Sequence, residues 1–205
     1  MIIKDFIVFE GIDGAGTTTQ LKKLENAFEG REVFITAEPS PNETGLFLRR
    51  LLKGEFQADP RTASYLFAAD RCEHVWGKGG IVEATESGKI VVSDRYIFSS
   101  LAYQGASIGE ELPSLLNSPF PLPELLFYFK INPEVSLKRV QSRGGALEIY
   151  EKAEYQKKTA ERFEKVISEY DKTEKGRGMK IVVIDAEKTP EEIHEIIKAE
   201  IEKIL

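Results

Sequence analysis

Residues 6–20 read FIVFEGIDGAGTTTQ, and this stretch decides the fold. FIVFE (6–10) is a strand-length run of β-formers, apolar up to its last residue. Directly after it, Gly11 and Gly16 have the spacing of the phosphate-cradling loop G-x-x-x-x-G-K-[ST], and Thr18 falls where that motif places a metal-binding hydroxyl. A strand, a Gly-rich turn and a helix in this order aim backbone N–H groups and a helix N-terminus at one spot, which suits a phosphate. Position 17 is threonine, so the ammonium that would reach the β- and γ-phosphates is missing. A tight turn with no ligand is the plainer reading of the same glycines. The strand before and the helix after favour the phosphate loop.

Four more strands are expected downstream: EVFIT (32–36), KIVVS (89–93), LLFYFKI (125–131) and KIVVID (180–185). They are nearly continuously apolar, as strands covered on both faces are. Helices are expected between them. One spans 18–29 and ends at Gly30; others open at Asp59-Pro60 and Asn132-Pro133. A polar amphipathic helix covers 151–175, and Thr189-Pro190-Glu191-Glu192 is a capping box. The Gly77–Gly80 cluster interrupts the helix that begins near Pro60. Alternating strands and helices predict one α/β domain over 1–205, with three layers, α/β/α, around a five-stranded parallel sheet.

Composition narrows the function. With 28 basic against 34 acidic residues the net charge is −6, which argues against a nucleic-acid surface but leaves room for a positive cleft. The two histidines, His74 and His194, have no zinc-site spacing. A single cysteine, Cys72, precludes an internal disulfide and suits a reducing cytoplasm. No apolar run approaches a membrane span, and MIIKDFIVFEG has no signal-peptide cleavage pattern.

Five motifs in sequence order carry a resemblance: FEGIDGAG (9–16), YLFAADR (65–71), VVSDRY (91–96), SSLAYQG (99–105) and SLKRVQSRGGALEIYEKAEY (136–155). From about residue 5 to 203 the chain resembles the thymidylate (dTMP) kinase family of phosphate-loop nucleoside monophosphate kinases. The resemblance implies a fold of the P-loop NTPase type, ATP as donor, dTMP as acceptor, Mg²⁺ and a homodimer. It implies that Gly11, Gly14, Ala15, Gly16, Thr17, Thr18 and Thr19 hold ATP, and that Thr18 and Asp94 serve the metal. Asp13 would lie near the 3′-hydroxyl and phosphate of the acceptor, and Arg95 would clamp that phosphate. Phe67 would stack on thymine, Arg71 would bond its carbonyl, and Ser100 would face the base. Tyr103, with Gln104 beside it, would crowd a ribose 2′-hydroxyl. A lid over about 139–155 would bring Arg139 and Arg143 to the phosphates. Without the resemblance, Phe67 reads as core, Arg71 as a surface charge and Tyr103 as a packing residue.

Three departures from the family pattern remove cations. Thr17 replaces the lysine; Ala37 and Ser40 stand where an arginine often holds the acceptor phosphate; and Glu148-Ile149 lacks a lid arginine. Arg49 or Arg50 is the candidate replacement for the second loss. The expected function is therefore Mg²⁺-assisted transfer of the ATP γ-phosphoryl to dTMP, giving dTDP and ADP for dTTP synthesis, slowed by Thr17. The alternatives are a non-catalytic nucleotide-binding relative and a kinase of another deoxynucleoside monophosphate.

Overall fold

The computed structural model describes residues 1–25, 27–28, 30–142 and 153–205. β1 (Ile2–Gly11) is the central strand of a five-stranded parallel sheet, flanked by β3 (Ile90–Asp94) and β4 (Leu122–Lys130). β2 (Val33–Ala37) lies outside β3 and β5 (Lys180–Asp185) outside β4. Helices cross between the strands: α1 (Thr17–Leu24), α2 (Glu43–Leu52), α3 (Pro60–Trp76), α4 (Ile81–Glu86), α5 (Ile97–Ile108), α6 (Glu111–Asn117), α7 (Pro133–Ser142), α8 (Ala153–Lys172) and α9 (Pro190–Glu202). This is the parallel α/β architecture expected from the alternation of elements.

The interior follows from the apolar runs. Phe6, Ile7, Val8 and Phe9 on β1 are fully buried, as are Leu125, Leu126 and Phe127 on β4, because helices cover both faces of the central strands. The ends of the sheet depart from that pattern. Val183 on β5 is 57% exposed, since the flanking helices cover the outermost strand incompletely. β1 also begins four residues earlier than the apolar run suggests, because Ile2 and Ile3 pair with Leu122 and Pro123.

Local signals set some helix starts. Asp59 caps α3 by accepting from the Arg61 N–H at 2.8 Å, with Pro60 in the first turn, and Thr189 and Glu192 form a reciprocal box at α9. The first helix is shorter than the expected 18–29: α1 stops at Leu24, its last buried residue, and Gly30 belongs to the connection to β2. The glycine cluster at 77–80 separates α3 from α4.

Strand register determines where chemistry can collect. Phe9 aligns with Asp94 on one side and Phe127 on the other, and Ala37 aligns with Asp94. The C-terminal ends of four strands therefore meet at one edge, where open α/β sheets place ligands.

Candidate active site

The Gly-rich loop leaves β1 at that edge. Gly14 has φ +86°, and a Cβ there would sit 2.7 Å from the Ser136 carbonyl oxygen, so only glycine lets the loop press against α7. Ser136 Oγ holds it by donating to the Asp13 carbonyl. Gly16 stands at the N-cap of α1 with φ +96° and open space beside its Cα. Among the described residues no side chain caps α1 and no acidic residue occupies its first turn, so its N-terminus suits an anion. Thr17 is half-buried beside Asp94, and exposed Thr18 donates to Asp94 Oδ2 at 3.4 Å. Burial pushes the Asp94 carboxyl above its usual range, against the pull of Arg95 and the two threonine hydroxyls.

Asp94 and Arg95 border a cavity together with Asp13, Phe67, Arg71, Ser100, Tyr103 and Gln104. Arg95 sits just past β3 in the left-handed region, φ +72°, and its N–H donates to the Phe9 carbonyl at 2.8 Å. Its guanidinium donates to Asp13 Oδ1 at 2.5 Å, to the Gly11 carbonyl at 3.0 Å and to Ser99 Oγ at 3.1 Å. It also lies over the Tyr103 ring, 5.1 Å from the centroid. Burial opposes its charge, but Tyr103, Asp13 and Asp94 outweigh that and raise its pKa. The Tyr103 hydroxyl donates to Asp13 Oδ2 at 3.1 Å, and Gln156 on α8 reaches the same oxygen at 2.8 Å.

At the other end of the cavity, Phe67 and Arg71 lie one turn apart on α3. The reading of Arg71 as a surface charge is overturned, because it is 1% exposed. It pairs with Glu38 Oε2 at 2.5 Å and donates to the Tyr96 carbonyl and Ser100 Oγ, each at 3.1 Å, and to Asn117 Oδ1. Burial works against ionised Glu38, yet Arg71 and His74 outweigh it and hold the carboxyl below its usual range. His74 bridges Glu38 and Thr36 through its two ring nitrogens, at 3.1 and 2.7 Å.

The structure separates the candidates for the missing acceptor-side arginine. Ser40 is fully buried and turned to Asp70, at 2.6 Å through its hydroxyl and 2.7 Å through its N–H. Arg50 pairs with Glu55 at 2.9 Å on the outside. Arg49 borders the cavity and donates to the Pro39 carbonyl.

A second cavity opens on the other side of the loop, between Gly14, Ala15, Gly16, Thr19, Gln20, Arg139, Lys188 and Pro190. Arg139 on α7 donates to the Ala186 carbonyl at 2.9 Å, so it stands on this side of the loop and not with Arg95. Arg143, with most of the expected lid, lies outside the described residues.

Comparison with known proteins gives this pair of cavities a context. The family model described as Thymidylate kinase matches residues 9–197. The chain belongs to the thymidylate kinase family. A Treponema pallidum protein that carries the name thymidylate kinase provisionally is 41% identical over 197 residues, 96% of this chain and 94% of its own length. The thymidylate kinase of Caldicellulosiruptor saccharolyticus is 36% identical, covering 98% of this chain and 97% of its own. That of Maridesulfovibrio salexigens is 35% identical, covering 96% and 94%.

For a thymidylate kinase family member, several residues around the cavities were not legible as site residues. Glu38 and Asn117 anchor Arg71, Gln156 holds Asp13, and Glu10 receives the start of α5. Glu10 had a signal of its own: a carboxylate ending an otherwise apolar strand. The others depend on chain segments far apart in sequence.

Proposed function

We propose that the protein transfers the γ-phosphoryl group of ATP to dTMP, with Mg²⁺, giving ADP and dTDP for dTTP synthesis. The observation that carries this reading is the layout of the first cavity. An aromatic face and an anchored guanidinium, Phe67 and Arg71, stand at one end, and Arg95, bonded to the phosphate loop, at the other, with Arg49 also on the cavity wall. A nucleoside monophosphate has the same order, a planar base with carbonyls, a sugar and an anion. Tyr103 and Asp13, bonded to each other and held against Arg95, would meet the sugar next to the phosphate. ATP would take the second cavity, its phosphates at the loop and its base beside Arg139 and Lys188.

The donor atoms of Thr18 and Asp94 suit Mg²⁺, a hard cation that takes hydroxyl and carboxylate oxygens together with phosphate oxygens. When bound, the ion would offset charge on the transferring phosphate. The protein's part is positioning: Arg95 and Arg49 aim the acceptor oxygen, the loop amides hold the donor, and no general base is needed because the acceptor phosphate is already anionic. Formation of ADP from Mg·ATP with dTMP, dUMP, dCMP, dGMP and ribose TMP tests the reading. Turnover confined mainly to dTMP supports it. Binding of dTMP without turnover favours the second reading, a nucleotide-binding protein, which Thr17 and the Arg95–Asp13 pair at 2.5 Å motivate.

Thr17→Lys is expected to raise kcat about tenfold, because it restores a cation where charge develops in transfer. An unchanged or lower kcat under saturating substrates would mean that another group already occupies that place. The homodimer also belongs to this proposal. Tyr65 and Trp76 on α3 and Leu115 on α6 are 56%, 48% and 66% exposed, apolar surface that a second copy would cover. Light scattering at micromolar concentration should give twice the chain mass, and a monomer would count against the dimer.

A further inference from the structure

We propose that Glu10 is a positioning residue of the acceptor site: from β1 it caps α5 and, through Ser99, fixes the Arg95 guanidinium. The proposal rests on reading the first cavity as the dTMP site. α5 supplies Ser100, Tyr103 and Gln104 to that cavity, and Ser99 borders it too. The N-cap residue of this helix, Tyr96, makes no side-chain capping bond. Glu10 fills that role from a distant strand. Its Oε1 accepts from the N–H groups of Tyr96 at 2.8 Å and Ser99 at 3.0 Å, and its Oε2 accepts from Ser99 Oγ at 2.6 Å. Ser99 Oγ in turn accepts from Arg95, whose left-handed backbone gives it no local preference for that place.

A charged residue here is costly. Glu10 is fully buried, and burial pushes its carboxyl up to about 7, against the bonds from Ser99, the charge of Arg95 and the bond from Tyr96. A neutral side chain of the same shape would serve the fold better than this carboxylate. What the carboxylate adds is functional. As an anion it sets the direction of the Ser99 hydroxyl, which must then point its proton at Glu10 and its lone pair at Arg95. The negative charge also faces the guanidinium that receives the acceptor phosphate.

The test compares wild type, Glu10→Gln and Ser99→Ala at pH 8, by calorimetric titration with dTMP, by steady-state kinetics and by thermal unfolding. Glu10→Gln keeps an acceptor for both backbone N–H groups but reverses the bond to Ser99. It should raise the Kd and KM for dTMP about tenfold, the scale of one charge-assisted hydrogen bond. The KM for ATP should stay within about twofold, while Tm rises above that of wild type because a buried charge has gone. Ser99→Ala cuts the link to Arg95 and leaves the backbone cap but strips Glu10 Oε2 of its hydroxyl donor, so it should weaken dTMP binding and lower Tm modestly, with the KM for ATP unchanged. If Glu10→Gln does not fold, Ser99→Ala alone decides. Unchanged dTMP affinity in either variant, or a Glu10→Gln defect shared equally by dTMP and ATP with a lowered Tm, would overturn the proposal. A wild type that binds no dTMP refutes the acceptor-site reading instead, so the two failures are distinct.

Discussion

Arg95→Ala is expected to lower kcat/KM for dTMP by about two to three orders of magnitude, chiefly through KM. Two effects add. The variant loses a guanidinium that can bind a phosphate in fork geometry, and it uncovers Asp13 and Asp94, both close enough to raise the Arg95 pKa. Those carboxylates would then repel the acceptor dianion. Arg95→Lys should fall between, retaining the charge without the fork and without simultaneous bonds to Asp13, Gly11 and Ser99. Steady-state kinetics over a dTMP series, with ATP saturating, reads both variants. An unchanged KM in Arg95→Ala would remove this residue from the acceptor clamp.

Arg71→Ala is expected to destabilise the protein by about 3–5 kcal/mol, the range for leaving one partner of a buried ion pair alone. Glu38 is as deeply buried as Arg71, at 3% and 1% side-chain exposure, so the variant leaves a poorly hydrated carboxylate without its main partner. The change also removes contacts with the faces of Tyr96 and Phe120, at 5.3 and 5.5 Å. Urea unfolding at pH 7 measures the loss; a change below about 1 kcal/mol would show that the pair is not buried as described. The sign with pH follows from Glu38. Its folded-state pKa is depressed, so its stabilising contribution is present above the ordinary carboxylate pKa and disappears as pH falls through the lower folded value. The difference between wild type and Arg71→Ala should therefore narrow in acid. Glu38→Gln combined with Arg71→Met should recover part of the loss, because no unpaired charge remains.

Much of the fold was legible because its signals are local. FIVFE followed by GIDGAGTTTQ specifies a strand, a Gly-rich turn and a helix without reference to anything distant. The caps at Asp59-Pro60 and Thr189-Pro190 act within three residues, and both helices begin there. Element ends were less legible. α1 stops at Leu24, short of the expected Gly30, and β1 extends back to Ile2 because β4 offers partners there. The start of β1 is set by the neighbouring strand and not by propensity.

The candidate site divides along the same line. The residue types and spacing of Phe67 and Arg71, the Asp94-Arg95 pair after an apolar strand and the loop glycines could be picked out in one dimension, partly through family likeness. Their partners could not. Nothing in the sequence places Glu38 against Arg71, Glu10 at the start of α5 or Gln156 on Asp13, since those contacts join residues 33, 86 and 143 positions apart. Nor could it choose Arg49 over Arg50, adjacent arginines on one helix, until the packing of α2 against α3 put one at the cavity and the other outside. Sequence alone thus determined the strand–loop–helix core, because dihedral preference, capping and apolar patterning act over a few residues, whereas Phe67, Arg71 and Tyr103 became cavity candidates only through the family likeness. Only the tertiary structure decided which charges are paired, which are buried and which face the cavity, because those depend on distances between segments that the chain brings together only by folding.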